Sequence, residues 1–290
     1  MRFGVSLFPL RPTQMVDVAQ AAEALGYDSV WLGEHVISPN EFDSRYPYHD
    51  DEDGPPAFHS RLPFYDPYAA LSYLAARTER LKLVLSVSIV PLHDPYHLAR
   101  SVMTLDQFSN GRFVFGIGAG WLKEEFDIVG ARWERRGARM EEMLALMQKL
   151  WSEPLVEHHG EFFDLPPAGM EPKPLTAPHP PFVFGGISPI ALRRTAESGD
   201  GWFGVGLDAD GAAKAVAELR RLRADSERRN DPLEISLNLP PGAPTTDDVA
   251  RFADAGVDRL VIRPWERGRD AVANIESFAR EMQLAPTSVA

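Results

Sequence analysis

Residues 81–90 and 113–118 are apolar at nearly consecutive positions, Leu81-Lys82-Leu83-Val84-Leu85-Ser86-Val87-Ser88-Ile89-Val90 and Phe113-Val114-Phe115-Gly116-Ile117-Gly118. Strands without polar alternation are covered on both faces, as in a parallel sheet. Between them, Tyr96, Ala99, Val102, Met103 and Leu105 recur at helical spacing, and Ser109-Asn110-Gly111 supplies a turn. Strand, helix, turn and strand in about 40 residues is the spacing of a right-handed βαβ unit.

The same rhythm runs through the chain. Strands are predicted at 2–8, 27–33, 81–90, 112–118, 181–185, 201–205, 233–238 and 257–263. Helices are predicted at 13–25, 67–78, 95–108, 122–150 (broken near Gly130 or Gly137), 188–198, 209–229, 246–255 and 269–283. One helix-to-strand joint recurs, a glycine, an acidic residue and an apolar strand, at Gly26, at Gly256 and more loosely at Gly199. Eight βα pairs favour a single (β/α)8 barrel over 1–290 rather than a doubly wound sheet. Two insertions interrupt it. Residues 36–64 follow strand two, where such barrels keep their catalytic face, and are expected to form a lid or pocket wall. Residues 151–181 precede strand five and are expected to pack on the barrel, with Glu161-Phe162-Phe163 as a short β-element.

Composition narrows the function. A net charge of −12 works against binding nucleic acid or anionic membrane. There are no cysteines, which excludes disulfides, thiolate nucleophiles and Cys-ligated metal. No apolar run approaches the roughly 20 residues of a membrane span, and the N-terminal strand reaches Pro9 too soon for a signal peptide, so a cytoplasmic protein is expected. The histidines, His35, His49, His59, His93, His97, His158, His159 and His179, form no H-x-H or H-E-x-x-H pattern. Pro95 spoils His93 and His97 as a helical pair, so a catalytic metal is not expected.

Candidate chemistry gathers at the strand ends. Glu34-His35 follows strand two, where a histidine can exchange protons near neutral pH, or simply brace a loop. Gly116-Ile117-Gly118-Ala119-Gly120-Trp121 and Phe184-Gly185-Gly186-Ile187-Ser188 both run from strand into helix. Glycines and a hydroxyl at a helix start suit a phosphate, and equally a tight turn. Trp121 can wall a substrate or merely pack.

The string from Ser86 to Pro91, with Asp94-Pro95, Leu105-Asp106, Ser109-Asn110-Gly111-Arg112, Gly116 to Trp121, Glu124-Glu125-Phe126 and Arg136-Gly137, resembles the bacterial luciferase-like oxidoreductases, in particular the branch using the deazaflavin coenzyme F420. The likeness covers most of the chain and implies a (β/α)8 fold. It implies that His35, beside Glu34 where many members carry Asp, lies by the deazaflavin ring. Ser86 and Val87 would back the ring across a non-proline cis peptide. Gly185, Gly186 and Ser188, with Gly118 nearby, would hold the cofactor. Trp121 stands where sugar-phosphate dehydrogenases of the family carry a glutamate proton donor, which points to a more apolar or aromatic small substrate under Tyr46, Tyr48 and Phe64. The resemblance also implies a homodimer through helices flanking strands two and three. The rivals are an FMN-dependent monooxygenase served by a partner reductase, a non-catalytic cofactor- or ligand-binding barrel, and a metal-dependent hydrolase.

Overall fold

The computed structural model describes residues 1–48 and 58–285; residues 49–57 of the first insertion, His49 among them, lie outside the described residues. The elements run β1 (Arg2–Ser6), α1 (Pro12–Leu25), β2 (Ser29–Leu32), α2 (Pro67–Ala75), β3 (Lys82–Leu85), β4 (Ser88–Ile89), α3 (Pro95–Phe108), β5 (Phe113–Gly118), α4 (Lys123–Val129) and α5 (Arg136–Ser152). Then come β6 (Val156–His159), β7 (Asp164–Ala168), β8 (Phe182–Gly185), α6 (Pro189–Ser198), β9 (Gly201–Val205), α7 (Ala209–Ala224), β10 (Glu234–Asn238), α8 (Thr246–Asp254), β11 (Arg259–Ile262) and α9 (Ala271–Glu281). Parallel pairings join β3, β2, β1, β11, β10, β9, β8 and β5 in turn, and β3 pairs back to β5 through Leu83 and Phe113. This is a closed (β/α)8 barrel, as the strand pattern predicts.

The apolar run 81–90 is one strand interrupted. The Ser86–Val87 peptide is cis, and beyond it β4 resumes the pairing with β5, Ser88 opposite Ile117 and Ile89 opposite Gly118. The helical stretch 122–150 breaks at Gly130, whose left-handed conformation caps α4, while Gly137 lies inside α5. Two predicted helices, 209–229 and 269–283, are shorter than expected, the first ending at Ala224 and the second preceded by a 3₁₀ turn at Gly268–Asp270. In the second insertion, β6 and β7 form an antiparallel hairpin and Glu161-Phe162-Phe163 are its turn rather than its strand. The reason is local: the Glu142 carboxylate on α5 accepts hydrogen bonds from all three of their amides.

The joints have a shared purpose. Asp200 accepts from the Phe182 amide and Asp258 from the Ile235 amide, each tying a strand start to its neighbour. Asp28 instead takes the Arg259 guanidinium, which also reaches Glu234 and Ser236 with its side chain 2% exposed. That ionic floor closes the amino-terminal end of the barrel. Above it Trp31, Val84, Val183, Phe203 and Val261 fill the interior, Trp31 stacking on Phe203 at 4.8 Å. Among the described residues these side chains fill the lower barrel, and its interior opens toward the carboxyl ends of the strands.

Candidate active site

A cavity of about 1060 Å³ occupies that carboxyl end. Glu34 and His35 border it after β2, Ser86 and Val87 between β3 and β4, Gly118 at the end of β5, and Gly185, Gly186 and Ser188 after β8. Trp121, Tyr46, Tyr48 and Phe64 border it as well. Residues up to 154 positions apart in sequence therefore share one space, because parallel strands deliver every carboxyl end to the same face.

Val87 forms one wall. It is nested against glycines: a Cβ added to Gly118 would stand 2.6 Å from Val87 Cγ2, and one on Gly185 would stand 3.0 Å from Cγ1. Gly186 has φ +115°, a conformation that side chains rarely adopt. It turns the chain into α6, where the Ser188 hydroxyl caps the helix by accepting from the Ala191 amide. The free amides of a helix start thus face the cavity beside two arginines. Arg194 packs over Gly137 at the start of α5 and pairs with Glu141 at 2.5 Å. Arg136 lies on the Trp133 ring, 3.5 Å from its centroid. Burial, and then the charge of Arg194, hold the Arg136 pKa below its ordinary value. Arg193 is exposed.

His35 stands across the cavity. Its Nδ1 is 2.8 Å from Glu125 Oε2, and Glu125 Oε1 accepts from the amides of Val36 (2.6 Å) and Ile37 (3.2 Å). The imidazole is enclosed by Phe58, Phe64 and Trp121 at 4.4, 4.9 and 6.1 Å between centroids. Tyr46 meets Trp121 edge-on at 5.1 Å. Burial and then the neighbouring Tyr48 push the Tyr46 phenol up to about 12, so it stays protonated. Tyr48 crosses toward the far side, its hydroxyl near Gly186 and its backbone against Gly206. The described residues of the first insertion thus border the mouth from both sides, and Glu124, accepting from the amides of Asp43 and Ser44, pins their start to α4.

Glu34 turns away from His35. Its Oε2 accepts from the Ile89 amide (2.7 Å), from the Ser88 hydroxyl (3.0 Å) and from His93 Nε2 (3.0 Å). Burial opposes a charge on His93, but the bond to Glu34 and its negative charge outweigh that and raise its pKa. Glu125, His93 and Phe58 escape the sequence reading. Glu125 had a signal, an acid in the first turn after a glycine-rich strand end, while His93 has none beyond its residue type. Among the described residues no group of three or more His, Asp or Glu side chains is disposed to hold a metal ion.

The sequence profile of the luciferase-like monooxygenases matches residues 1–284. The chain belongs to this family. An uncharacterised protein of Mycobacterium tuberculosis is 32% identical over 97% of this chain and 99% of its own length. The F420-dependent glucose-6-phosphate dehydrogenase of Amycolatopsis mediterranei is 25% identical over 92% of this chain and 85% of that one. The FMNH2-dependent dimethylsulfone monooxygenase of Pseudomonas putida is 30% identical over 61% of this chain, which spans about half of that enzyme (49%). Both a deazaflavin and a flavin are thus represented among the relatives of this luciferase-like oxidoreductase. No helix among the described residues is long and apolar enough to cross a membrane.

Proposed function

We propose that this single-domain barrel is an F420-dependent oxidoreductase that moves a hydride between the deazaflavin and a small apolar or aromatic substrate. The observation that carries the reading is the shared cavity, with a proton-exchanging group at one end, a glycine cradle at the other and a branched aliphatic wall between them. The residues fit the group. Ser86 and Val87 back a planar ring, and the absence of Cβ atoms at Gly118 and Gly185 leaves Val87 room to stand flat against it. Gly185, Gly186 and Ser188 receive a phosphate at the start of α6. When bound, F420 supplies a carbon that gives or takes a hydride, and the protein supplies position, dryness and a proton path. His35 faces the cavity as that proton-exchanging group. Glu34, the other candidate for catalysis, fits a positioning role better, since it clamps Ser88, Ile89 and His93 behind the wall. Trp121, Tyr46, Tyr48 and Phe64 cover the substrate.

Charge favours F420 over FMN. Among the described residues, Arg45, Arg135, Arg136 and Arg194 border the cavity with one carboxylate, Glu34, although Arg135 and Arg194 also pair with Glu161 and Glu141 outside it. A phosphodiester that continues into carboxylates uses more of that basic rim than a terminal phosphate does. The Pseudomonas putida relative supports the second reading, an FMN monooxygenase with a reductase partner. A homodimer through α2 and α3 suits the exposed Tyr73 and Phe108. Titrating the protein with each cofactor separates the readings: we expect F420 to bind more tightly, and tighter FMN would reverse the choice. A hydride-transfer assay on enones and alcohols, with His35→Ala as comparison, then separates an enzyme from a barrel that only binds.

A further inference from the structure

Glu125 has no exposed surface, lies in the first turn of α4, and has been given no part in the function so far. Its two oxygens have different partners. Oε1 faces only backbone N–H groups, those of Val36 and Ile37, which can donate and nothing else. Those two bonds fix the plane of the carboxylate whatever His35 does. Oε2 is thereby aimed at His35 Nδ1, 2.8 Å away. An ionised carboxylate can only accept, so Nδ1 must carry the proton at that contact. The other ring nitrogen, Nε2, makes no hydrogen bond among the described residues, and the ring borders the cavity.

We propose that Glu125 is a positioning residue that locks His35 in the Nδ1–H tautomer, leaving Nε2 as a proton acceptor facing the cavity. The consequence for catalysis rests on the oxidoreductase reading; the tautomer itself does not. With Nε2 unprotonated, His35 takes a proton from a donor on the bound molecule as the hydride leaves that molecule. The ring becomes an imidazolium, its charge balanced by Glu125 at the opposite nitrogen, and the proton passes on to water. In the reverse direction the imidazolium returns it. No electrons pass through His35. The same carboxylate ties the ring to Val36 and Ile37, so the start of the loop over the mouth and the orientation of the base are set together.

The test needs no cofactor. In protein labelled with ¹⁵N-histidine, with His35 assigned by the signals lost in His35→Asn, the two ring nitrogens report the tautomer directly. The wild type is expected to show a protonated Nδ1 and a bare Nε2. In Glu125→Gln the amide oxygen is kept by the Val36 and Ile37 donors, so the NH2 group faces Nδ1 and the proton must move to Nε2; the two signals should exchange. Glu125→Asp keeps the charge and should retain the Nδ1–H form. A merely structural Glu125 would leave the tautomer unchanged in the folded Gln variant. An Nε2–H wild type, or an unflipped Gln variant, overturns the proposal, and the wild-type spectrum alone decides if that variant does not fold. With F420 and the alcohol panel, Glu125→Gln should lower kcat by about 10²-fold or more while F420 affinity stays within about twofold of wild type. Absence of F420 binding to the wild type would instead sink the F420 reading and leave the tautomer result standing.

Discussion

Gly118→Ala probes the wall on which the cofactor reading depends. The new Cβ would stand 2.6 Å from Val87 Cγ2. Carbon atoms settle about 3.5–4.0 Å apart, so roughly 1 Å of overlap must be relieved. Val87 is backed by β5 and β8 through Gly116, Gly118 and Gly185, so the displaced side chain moves into the cavity. Overpacking of this kind costs about 1–3 kcal/mol, or about 2–4 °C in Tm per kcal/mol for a chain of roughly this size. The same displacement should weaken F420 by about 5- to 150-fold if it obstructs the ring to that extent. Calorimetry gives the first quantity and a fluorescence titration with F420 the second. Gly242→Ala is the control: its φ of +130° strains an alanine, but the added Cβ meets nothing within 4 Å beyond its chain neighbours and Gly242 is not part of the cavity. The control should lose Tm and keep its F420 affinity. If Gly118→Ala lost Tm yet bound F420 as tightly as wild type, Val87 would not be part of the cofactor site.

Other substitutions address the remaining groups. Arg136→Ala and Arg194→Ala should each weaken F420 more than they weaken FMN in paired titrations; equal losses would remove the charge argument for F420. Trp121→Ala should raise KM for an apolar substrate by about tenfold, about 1.4 kcal/mol, without changing the cofactor Kd, since Trp121 packs on Phe58 and Tyr46 rather than on the glycine cradle. Because the folded-state pKa of His93 is raised by Glu34, that pair's contribution to stability is complete below the unfolded value of about 6.5 and is lost as pH rises through the folded value. Denaturant titrations across that window should show the decline in wild type and not in His93→Asn. Arg259→Leu leaves Asp28 without its cation, while Glu234 keeps Arg2, and should cost about 3–5 kcal/mol, measurable by chemical unfolding, with the cofactor site intact.

The barrel was legible because parallel strands announce themselves as unbroken apolar runs, and the joints at Gly26 and Gly256 repeat. What the runs conceal is interruption: Ser86-Val87 reads as strand whether or not the pairing pauses there, and only the family resemblance marks it. The candidate residues at strand ends were legible from their place in the βα order, and all of them border the cavity. Their partners were not. Glu125 lies 90 residues from His35, and two acids in a first helical turn are also what helix electrostatics favours, so that signal alone does not separate a partner of His35 from an ordinary helix start. His93 precedes α3, which Pro95 opens, and its bond to Glu34 spans 59 residues and leaves no trace in spacing.

A crystal structure of this protein soaked with F420 tests the central claim most directly. The account predicts the tricyclic ring against Val87, its phosphate at Gly186 and Ser188, and its reactive edge toward His35. Density for the ring elsewhere, or a cavity that stays empty at saturating F420, would contradict it.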